Sequence, residues 1–178
     1  RDNGRGIPID PHPKFPNKSA LEVILTTLHS GGKFNNKTYQ TSAGLHGVGL
    51  SVVNALSSKL LVQVSREGIL WEQEYSRGKP LASIAQGENI KKFQHGTIIH
   101  FTPDDEIFDN VDFDPKLLYK LARSKAYLFG GVKIHWTNGL ASEDVPSTEL
   151  ICFPAGLTYF LEYRLEDQEP VVPQIFSG

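Results

Sequence analysis

The architecture follows most directly from residues 59–75, which read KLLVQVSREGILWEQEY. Leu60, Val62 and Val64 alternate with Leu61, Gln63 and Ser65, the pattern of a strand with one buried face. A Glu-Gly pair then supplies a two-residue turn, and a second strand returns to Tyr75. Strands joined by so short a turn run antiparallel. The stretch therefore predicts an antiparallel hairpin near the middle of the chain.

Other strands and helices are predicted on both sides of this hairpin. Further strands are expected at 81–85, 96–102, 132–137 and 148–153, and helices at 19–28, 50–56, 114–128 and 155–164. Strands joined by short turns, with helices grouped before and after them, indicate an α+β fold. The expected architecture is a two-layer sandwich, in which helices cover one face of a mostly antiparallel sheet.

Two of the helices carry detailed expectations. Ser19 and Glu22 have the spacing of a capping box, and Gly31-Gly32 is the expected end of that helix. Its buried face should consist of residues at helical spacing, namely Leu21, Ile24, Leu25 and Leu28. The second helix should bury its apolar residues, which are Leu50, Val52, Val53, Ala55 and Leu56.

Length and composition limit the classes of protein to consider. The 178 residues suggest one domain at 1–165, followed by a Glu- and Pro-rich linker at 166–178. With 18 Lys plus Arg against 20 Asp plus Glu, the net charge of −2 argues against a domain that wraps nucleic acid. No apolar run reaches the ~20 residues of a membrane span.

The single cysteine, Cys152, excludes an internal disulfide, and we expect a buried thiol. Because the chain contains no methionine, we expect it to be a piece of a longer protein that lacks its N-terminal part.

The first candidate site is Asp2-Asn3-Gly4-Arg5-Gly6-Ile7-Pro8. Its glycines allow a tight turn and the close approach of a flat ligand. An ionised aspartate only accepts hydrogen bonds, which suits the exocyclic amino group of adenine and disfavours the carbonyl of guanine. The alternative is an Asn-Gly turn beside a solvated aspartate. The motif alone leaves both interpretations open.

The second candidate site is the glycine-rich segment 44–49, which opens onto a predicted helix. Backbone amides at such a position can bind an anion. Its G-x-x-G-x-G pattern is not the dinucleotide fingerprint, and the chain contains no P-loop motif. The segment follows a long polar loop, where Lys33 could reach a phosphate or remain solvated, and His46 could contact a phosphate or cap the loop. Three glycines could also form a simple hinge.

The third candidate site is His95-Gly96-Thr97, which opens a predicted strand. The threonine hydroxyl could support a ligand, although a β-branched residue is also ordinary in a strand. The histidines show neither an H-E-x-x-H motif nor zinc-ligand spacing with Cys152, and no G-x-S-x-G motif occurs.

In combination these motifs identify a family. In chain order they are D-N-G-R-G-I-P at 2–8, L-H-S-G-G-K-F at 28–34, G-L-H-G-V-G-L-S-V-V-N-A-L-S at 44–57 and H-G-T at 95–97. The chain closely resembles the ATPase domain of type IIA DNA topoisomerase B subunits, part of the wider gyrase, Hsp90, histidine kinase and MutL family. The resemblance extends over nearly the whole chain. Residues 124–126, 129–132 and 156–161 are more similar to the topoisomerase IV branch than to gyrase.

The resemblance implies roles for individual residues. Asp2 matches the adenine-binding aspartate, Gly6 and Thr97 complete that pocket, and Ile7 and Pro8 pack against the base. Lys33 matches a lysine near the phosphates, and Arg66 an arginine at the pocket mouth. The phosphate-binding amides match a continuous segment, which comprises Gly44, Leu45, His46, Gly47, Val48, Gly49 and Leu50. Asn3 stands where many relatives carry a second aspartate.

The resemblance also implies ATP and Mg²⁺ as cofactors. The family's general-base glutamate and Mg²⁺-binding asparagine precede the D-x-G-x-G motif and match no residue here, so we expect no catalytic or metal-binding residue in this chain and no hydrolysis by it alone.

Implied partners are the topoisomerase A subunit in an A2B2 heterotetramer, a second B subunit upon ATP binding, DNA in the intact enzyme, and inhibitors at the adenine pocket. A bacterial cytoplasmic location without membrane contact is expected. Alternatives are a gyrase-type subunit, a MutL- or Hsp90-type ATPase, and a non-hydrolysing dimerisation module.

Overall fold

The computed structural model describes residues 1–30, 47–87 and 95–165. The chain divides into two compact units, Arg1–Val111 and Asp112–Gly178. The boundary expected at residue 165 coincides with the end of the described residues and stays a prediction.

A five-stranded antiparallel sheet forms the centre of the first unit. Its strands are β3 (Ser57–Arg66), β4 (Ile69–Ser76), β5 (Lys79–Pro80), β6 (Ala85–Gln86) and β7 (Gly96–Pro103). Their order is β5-β4-β3-β7, and β6 pairs with β4. The predicted hairpin is confirmed, since Arg66 pairs with Ile69 across a two-residue turn in which Glu67 and Gly68 both have positive φ. A separate hairpin, β1 (Pro11–His12) with β2 (Phe15–Ser19), was not predicted.

Two helices, α1 (Ala20–Thr26) and α2 (Gly49–Ala55), pack on one face of this sheet. The buried cluster between the layers consists of Leu21, Leu25, Leu60, Val62, Val64 and Tyr75. The α+β architecture with helices over an antiparallel sheet is therefore confirmed. Burying apolar surface between two such layers is the main source of stability in a unit of this kind.

Helix α1 is shorter than predicted. The Ser19 cap is confirmed, because its hydroxyl accepts a hydrogen bond from the Glu22 amide at 3.1 Å. The Glu22 carboxylate instead pairs with Lys18 and accepts a hydrogen bond from Gln73. The helix ends at Thr27, whose backbone is extended, so the helical period does not continue and Leu28 is 58% exposed. Burial of Leu28 was a wrong prediction, and Gly31-Gly32 lies outside the described residues.

The buried face of α2 also differs from the prediction. Leu50 and Val53 pack against the core, but Val52 is 41% exposed and Ala55 is exposed. The positions that are fully buried carry polar side chains, Ser51 and Asn54. Apolar periodicity cannot predict this arrangement, because polar side chains that find hydrogen-bond partners can be buried as well.

The strand predicted at 81–85 is wrong for most of its length, since β5 and β6 flank it and Leu81 is 61% exposed.

The second unit contains α3 (Pro115–Leu128), β8 (Ile134–Thr137), β9 (Thr148–Ile151) and α4 (Leu157–Leu165). The side chain of Asp114 caps α3 by accepting hydrogen bonds from two backbone amides. Strands β8 and β9 pair antiparallel, as predicted, but each is shorter than expected. Tyr127 stacks on Phe153 with ring centroids 3.9 Å apart. Cys152 is only partly buried, so the expectation of a buried thiol was wrong.

Candidate adenine-binding site

The first residues of the chain lie across the start of β7. The Asp2 backbone amide donates a hydrogen bond to the Thr97 carbonyl at 2.8 Å, and the Thr97 amide donates to Oδ1 of Asp2 at 3.2 Å. The Gly4 amide donates to the same Oδ1 at 2.8 Å. Two backbone donors thus fix the orientation of the carboxylate although the residue is exposed. Residues 95 positions apart in sequence are brought together here.

Two glycines make this close approach possible. A Cβ on Gly96 would lie 2.2 Å from the Asp2 carbonyl oxygen, and the residue has a φ of +124°. A Cβ on Gly6 would lie 3.0 Å from the Ser65 carbonyl oxygen, and its φ is +77°. Backbone atoms cannot move aside as a flexible side chain can, so both positions require glycine for shape as well as for conformation.

The floor of the site is continuous with the core. Thr97 is 5% exposed and pairs in register with Val64, a member of the buried cluster. Ile7 is half-buried and packs against that cluster, whereas Pro8 is exposed. A flat ligand near Asp2 would therefore lie next to rigid sheet structure.

A cleft of about 500 Å³ opens beside this site, lined by Asn3, Gly4, Arg5, Arg66, Glu67 and His95. Nη1 of Arg66 donates to the Gly6 carbonyl at 3.4 Å, and its Nε lies 3.6 Å from the Glu67 carboxylate. Nδ1 of His95 lies 3.1 Å from the Gly4 carbonyl oxygen. Because a carbonyl only accepts, a hydrogen bond here requires the proton of His95 on Nδ1.

The structure brings together the sequence-predicted residues Asp2, Gly6, Ile7, Thr97 and Arg66 in one region. Residues 47 and 48 directly precede α2, which begins at Gly49; Gly47 has a φ of +62°, and Leu50 packs on the core. Lys33, Gly44, Leu45 and His46 lie outside the described residues.

Several residues of the region were not assigned a role from the sequence. Arg5, Glu67 and the His95 ring line the cleft, and Gly96 is the residue over which Asp2 crosses. Arg5 and His95 lie within the motifs at 2–8 and 95–97, but those motifs indicated no role of its own for either residue. The non-local crossing itself leaves no local pattern.

Neither a metal cluster nor a membrane helix is found in the part of the chain that the structure describes. Within residues 1–30, 47–87 and 95–165, no group of three or more His, Cys, Asp or Glu is placed to hold a metal ion. Over the same ranges, no helix has the length and apolar character needed to cross a membrane.

Comparison with known proteins assigns the chain to a family. Residues 1–107 match the family described as histidine kinase-, DNA gyrase B- and HSP90-like ATPase. The chain belongs to this ATPase family. The match covers the crossing of Asp2 over Gly96 and Thr97, and the helix that begins at Gly49.

Within this family, the similar proteins are topoisomerase B subunits. The chain is 55% identical to the DNA topoisomerase 4 B subunit of Rickettsia typhi, over 99% of this chain and 27% of the relative. It is 45% identical to the DNA gyrase B subunit of Haloferax volcanii, over 93% of this chain and 25% of the relative. The chain thus spans about a quarter of the length of these relatives. The predicted resemblance to topoisomerase B subunits is confirmed.

A solved structure supports the same fold assignment. The crystal structure of the 43K ATPase domain of Thermus thermophilus gyrase B, in complex with an aminocoumarin, matches with a TM-score of 0.76 and 32% identity. The match covers 97% of this chain and 42% of the other.

Proposed function

We propose that the unit Arg1–Val111 binds the adenine of ATP at Asp2. The observation that carries this proposal is the Asp2 carboxylate, held through Oδ1 by the Gly4 and Thr97 amides in a member of an ATPase family. So oriented, the carboxylate can accept a hydrogen bond from the 6-amino group of adenine. Guanine carries a carbonyl at that position, which an acceptor-only group repels. Gly6, Thr97, Ile7 and Pro8 would surround the base.

The phosphates are proposed to bind at the glycine-rich segment 44–50, with Lys33 close to them. Backbone amides suit phosphate oxygens because they donate without adding a side chain between ligand and backbone. Arg66 would stand at the pocket mouth, where its guanidinium is already held by the Gly6 carbonyl. Support for these roles comes from the resemblance and from the similarity to topoisomerase B subunits.

For the intact protein we propose the role of B subunit in a bacterial cytoplasmic type II DNA topoisomerase. ATP binding would drive dimerisation of two B subunits around a DNA segment, Mg²⁺ would offset phosphate charge, and an A subunit would complete an A2B2 enzyme that cleaves DNA. Identity of 55% with topoisomerase 4 against 45% with gyrase favours decatenation and relaxation over supercoiling. The domain would extend over 1–165, with 166–178 as a linker.

The 178-residue chain itself is proposed to bind adenine nucleotides only weakly and not to hydrolyse ATP. No residue in it matches the general-base glutamate or the Mg²⁺-binding asparagine of the family. Measurable Mg²⁺-dependent release of phosphate from ATP by the purified chain would overturn this part of the proposal.

Thermal unfolding with different nucleotides tests the binding proposal. A ligand that binds only the folded state raises the unfolding midpoint, and the effect grows with ligand concentration. ATP and adenosine at millimolar concentration should raise the midpoint, and GTP and guanosine should not. An equal rise with GTP, or no rise with any adenine ligand, would contradict it.

The activity of the intact protein is tested separately. The full-length protein reconstituted with its A subunit should decatenate linked DNA circles only when ATP is present. Introduction of negative supercoils into relaxed DNA would instead favour the gyrase alternative.

A further inference from the structure

Asn54 is an unusual choice for its position in α2. The residue is 0% exposed, and Nδ2 donates a hydrogen bond to the Leu25 carbonyl of α1 at 2.9 Å. The amide orientation is determined by this contact, because a reversed amide would place two acceptors against each other. The bond joins residues 29 positions apart.

Among the described residues, the other end of the amide has no partner. Oδ1 of Asn54 is buried and makes no hydrogen bond within the described residues. Leaving a buried acceptor unsatisfied is unfavourable, and an apolar side chain of similar size would avoid it. Packing alone therefore does not explain an asparagine here, and the bond to Leu25 is the feature that an apolar residue could not supply.

The bond satisfies a carbonyl in the last turn of α1, which has no partner within its own helix. Leu25 belongs to the buried cluster that also contains Val64, and Val64 pairs with Thr97 of the adenine site. Asn54 lies five positions after Gly49 in α2. The contact therefore links α2, which follows the glycine-rich segment, to the core that lies beneath the adenine site.

Further contacts anchor the same end of α2. The Asn54 carbonyl accepts a hydrogen bond from the Gly78 amide at 3.0 Å, and the Asp104 amide donates to the Leu56 carbonyl at 3.0 Å. These bonds hold the end of α2 that carries Asn54.

We propose that Asn54 is a positioning residue for nucleotide phosphates. Through Leu25 it holds α2 so that residues 47–49 stand at the correct distance from the adenine site. It touches no ligand itself. The inference rests on the proposed function, because it assumes that adenine and phosphates bind at these two places.

The test compares how much affinity the phosphates add. Dissociation constants for adenosine and for ADP are measured on the 178-residue chain by NMR titration. The adenosine constant divided by the ADP constant reports how much affinity the phosphates add. In Asn54→Leu this ratio should fall by about two- to tenfold, the effect of losing one net hydrogen bond, while adenosine affinity stays unchanged. Asn54→Ser, whose hydroxyl is too short to reach Leu25, should lower the ratio similarly and adds no bulk.

Ser57→Ala is the matched control. Ser57, the first residue of β3, is 1% exposed, and its hydroxyl donates to the Val53 carbonyl of α2 at 2.6 Å, a bond that does not involve α1. This variant should lower the unfolding midpoint without changing the ratio of affinities. A ratio that is unchanged in both Asn54 variants, or equally lowered in Ser57→Ala, would overturn the positioning role. A wild-type chain that binds adenosine and ADP equally would instead refute the proposed phosphate site, and the inference would fall with it.

Discussion

Asp2 and Thr97 are hydrogen-bonded in both directions. The Asp2 amide donates to the Thr97 carbonyl at 2.8 Å, and the Thr97 amide donates to Oδ1 of the Asp2 carboxylate at 3.2 Å. This reciprocal contact fixes a carboxylate at the edge strand of a sheet, and one face of that sheet forms part of the buried cluster. A preoriented acceptor binds a donor with less loss of side-chain entropy than a mobile one.

Asp2→Asn tests the charge at this position. The asparagine can keep Oδ1 in its contacts with Gly4 and Thr97, but it replaces the second carboxylate oxygen with a donor. Adenosine affinity should fall roughly tenfold to a hundredfold, the loss of one hydrogen bond to a charged acceptor. Calorimetric or NMR titration measures it, and Asp105→Asn, an exposed aspartate outside the cleft, is the control. Unchanged affinity would argue against adenine binding at Asp2.

Gly96→Ala tests the crossing of the chain over β7. An added Cβ would lie 2.2 Å from the Asp2 carbonyl oxygen in a residue with a φ of +124°. We expect the free energy of unfolding to fall by about 2 kcal/mol or more, together with loss of adenosine binding. Gly68→Ala is the matched control, since its φ is +78° but nothing lies within 4 Å. Urea unfolding should show a clearly larger effect for Gly96→Ala, and equal effects would mean that the crossing is not tightly packed.

Tyr75 predicts a loss of stability at alkaline pH. Burial raises the pKa of its phenol, with a further contribution from the charge of Glu22. The folded-state pKa lies above the unfolded value of about 10. The contribution of the neutral Tyr75 phenol to the free energy of unfolding is therefore fully present below pH 10 and is lost as pH rises above 10. Urea unfolding at pH 8 and at pH 11 should show this decline.

Tyr75→Phe separates this effect from general alkaline unfolding. The hydroxyl donates to Oε1 of Gln73 at 2.7 Å, so its removal leaves a buried acceptor and should cost about 1–3 kcal/mol at pH 8. The variant should also lose less stability than the wild type between pH 8 and pH 11. Tyr163→Phe, at an exposed position, should behave like the wild type. A steeper alkaline decline in Tyr75→Phe would contradict the assignment.

The central hairpin was predictable because its determinants are local. Leu60, Val62 and Val64 alternate strictly, and all three are 0% exposed in the structure. A Glu-Gly pair favours a two-residue turn between such strands, since glycine tolerates positive φ. Local periodicity and turn chemistry were therefore sufficient to identify β3 and β4.

Features that depend on tertiary contacts were missed. Leu28 is apolar and at helical spacing, but the helix ends before it and the side chain is exposed. Asn54 is polar, but a carbonyl from another helix allows its burial. The short β1 and β2 strands contain prolines at positions 11 and 16, which weaken the strand signal.

The candidate site was predictable in its chemistry and not in its geometry. The motif around Asp2 indicated an acceptor for adenine, and H-G-T indicated a strand start. Their contact joins the first residues to β7 through a non-local hydrogen bond, which no spacing along the chain encodes. Only the structure shows that Gly96 is required because the Asp2 carbonyl passes directly over it.

Amide chemical-shift mapping tests the central claim most directly. The isotope-labelled 178-residue chain is titrated with adenosine and, in parallel, with guanosine. Binding at Asp2 predicts that adenosine shifts the amides of Gly4, Gly6 and Thr97 with one dissociation constant, and that guanosine leaves them unchanged. Saturable shifts confined to the unit Asp112–Gly178, or equal shifts with both nucleosides, would contradict the account.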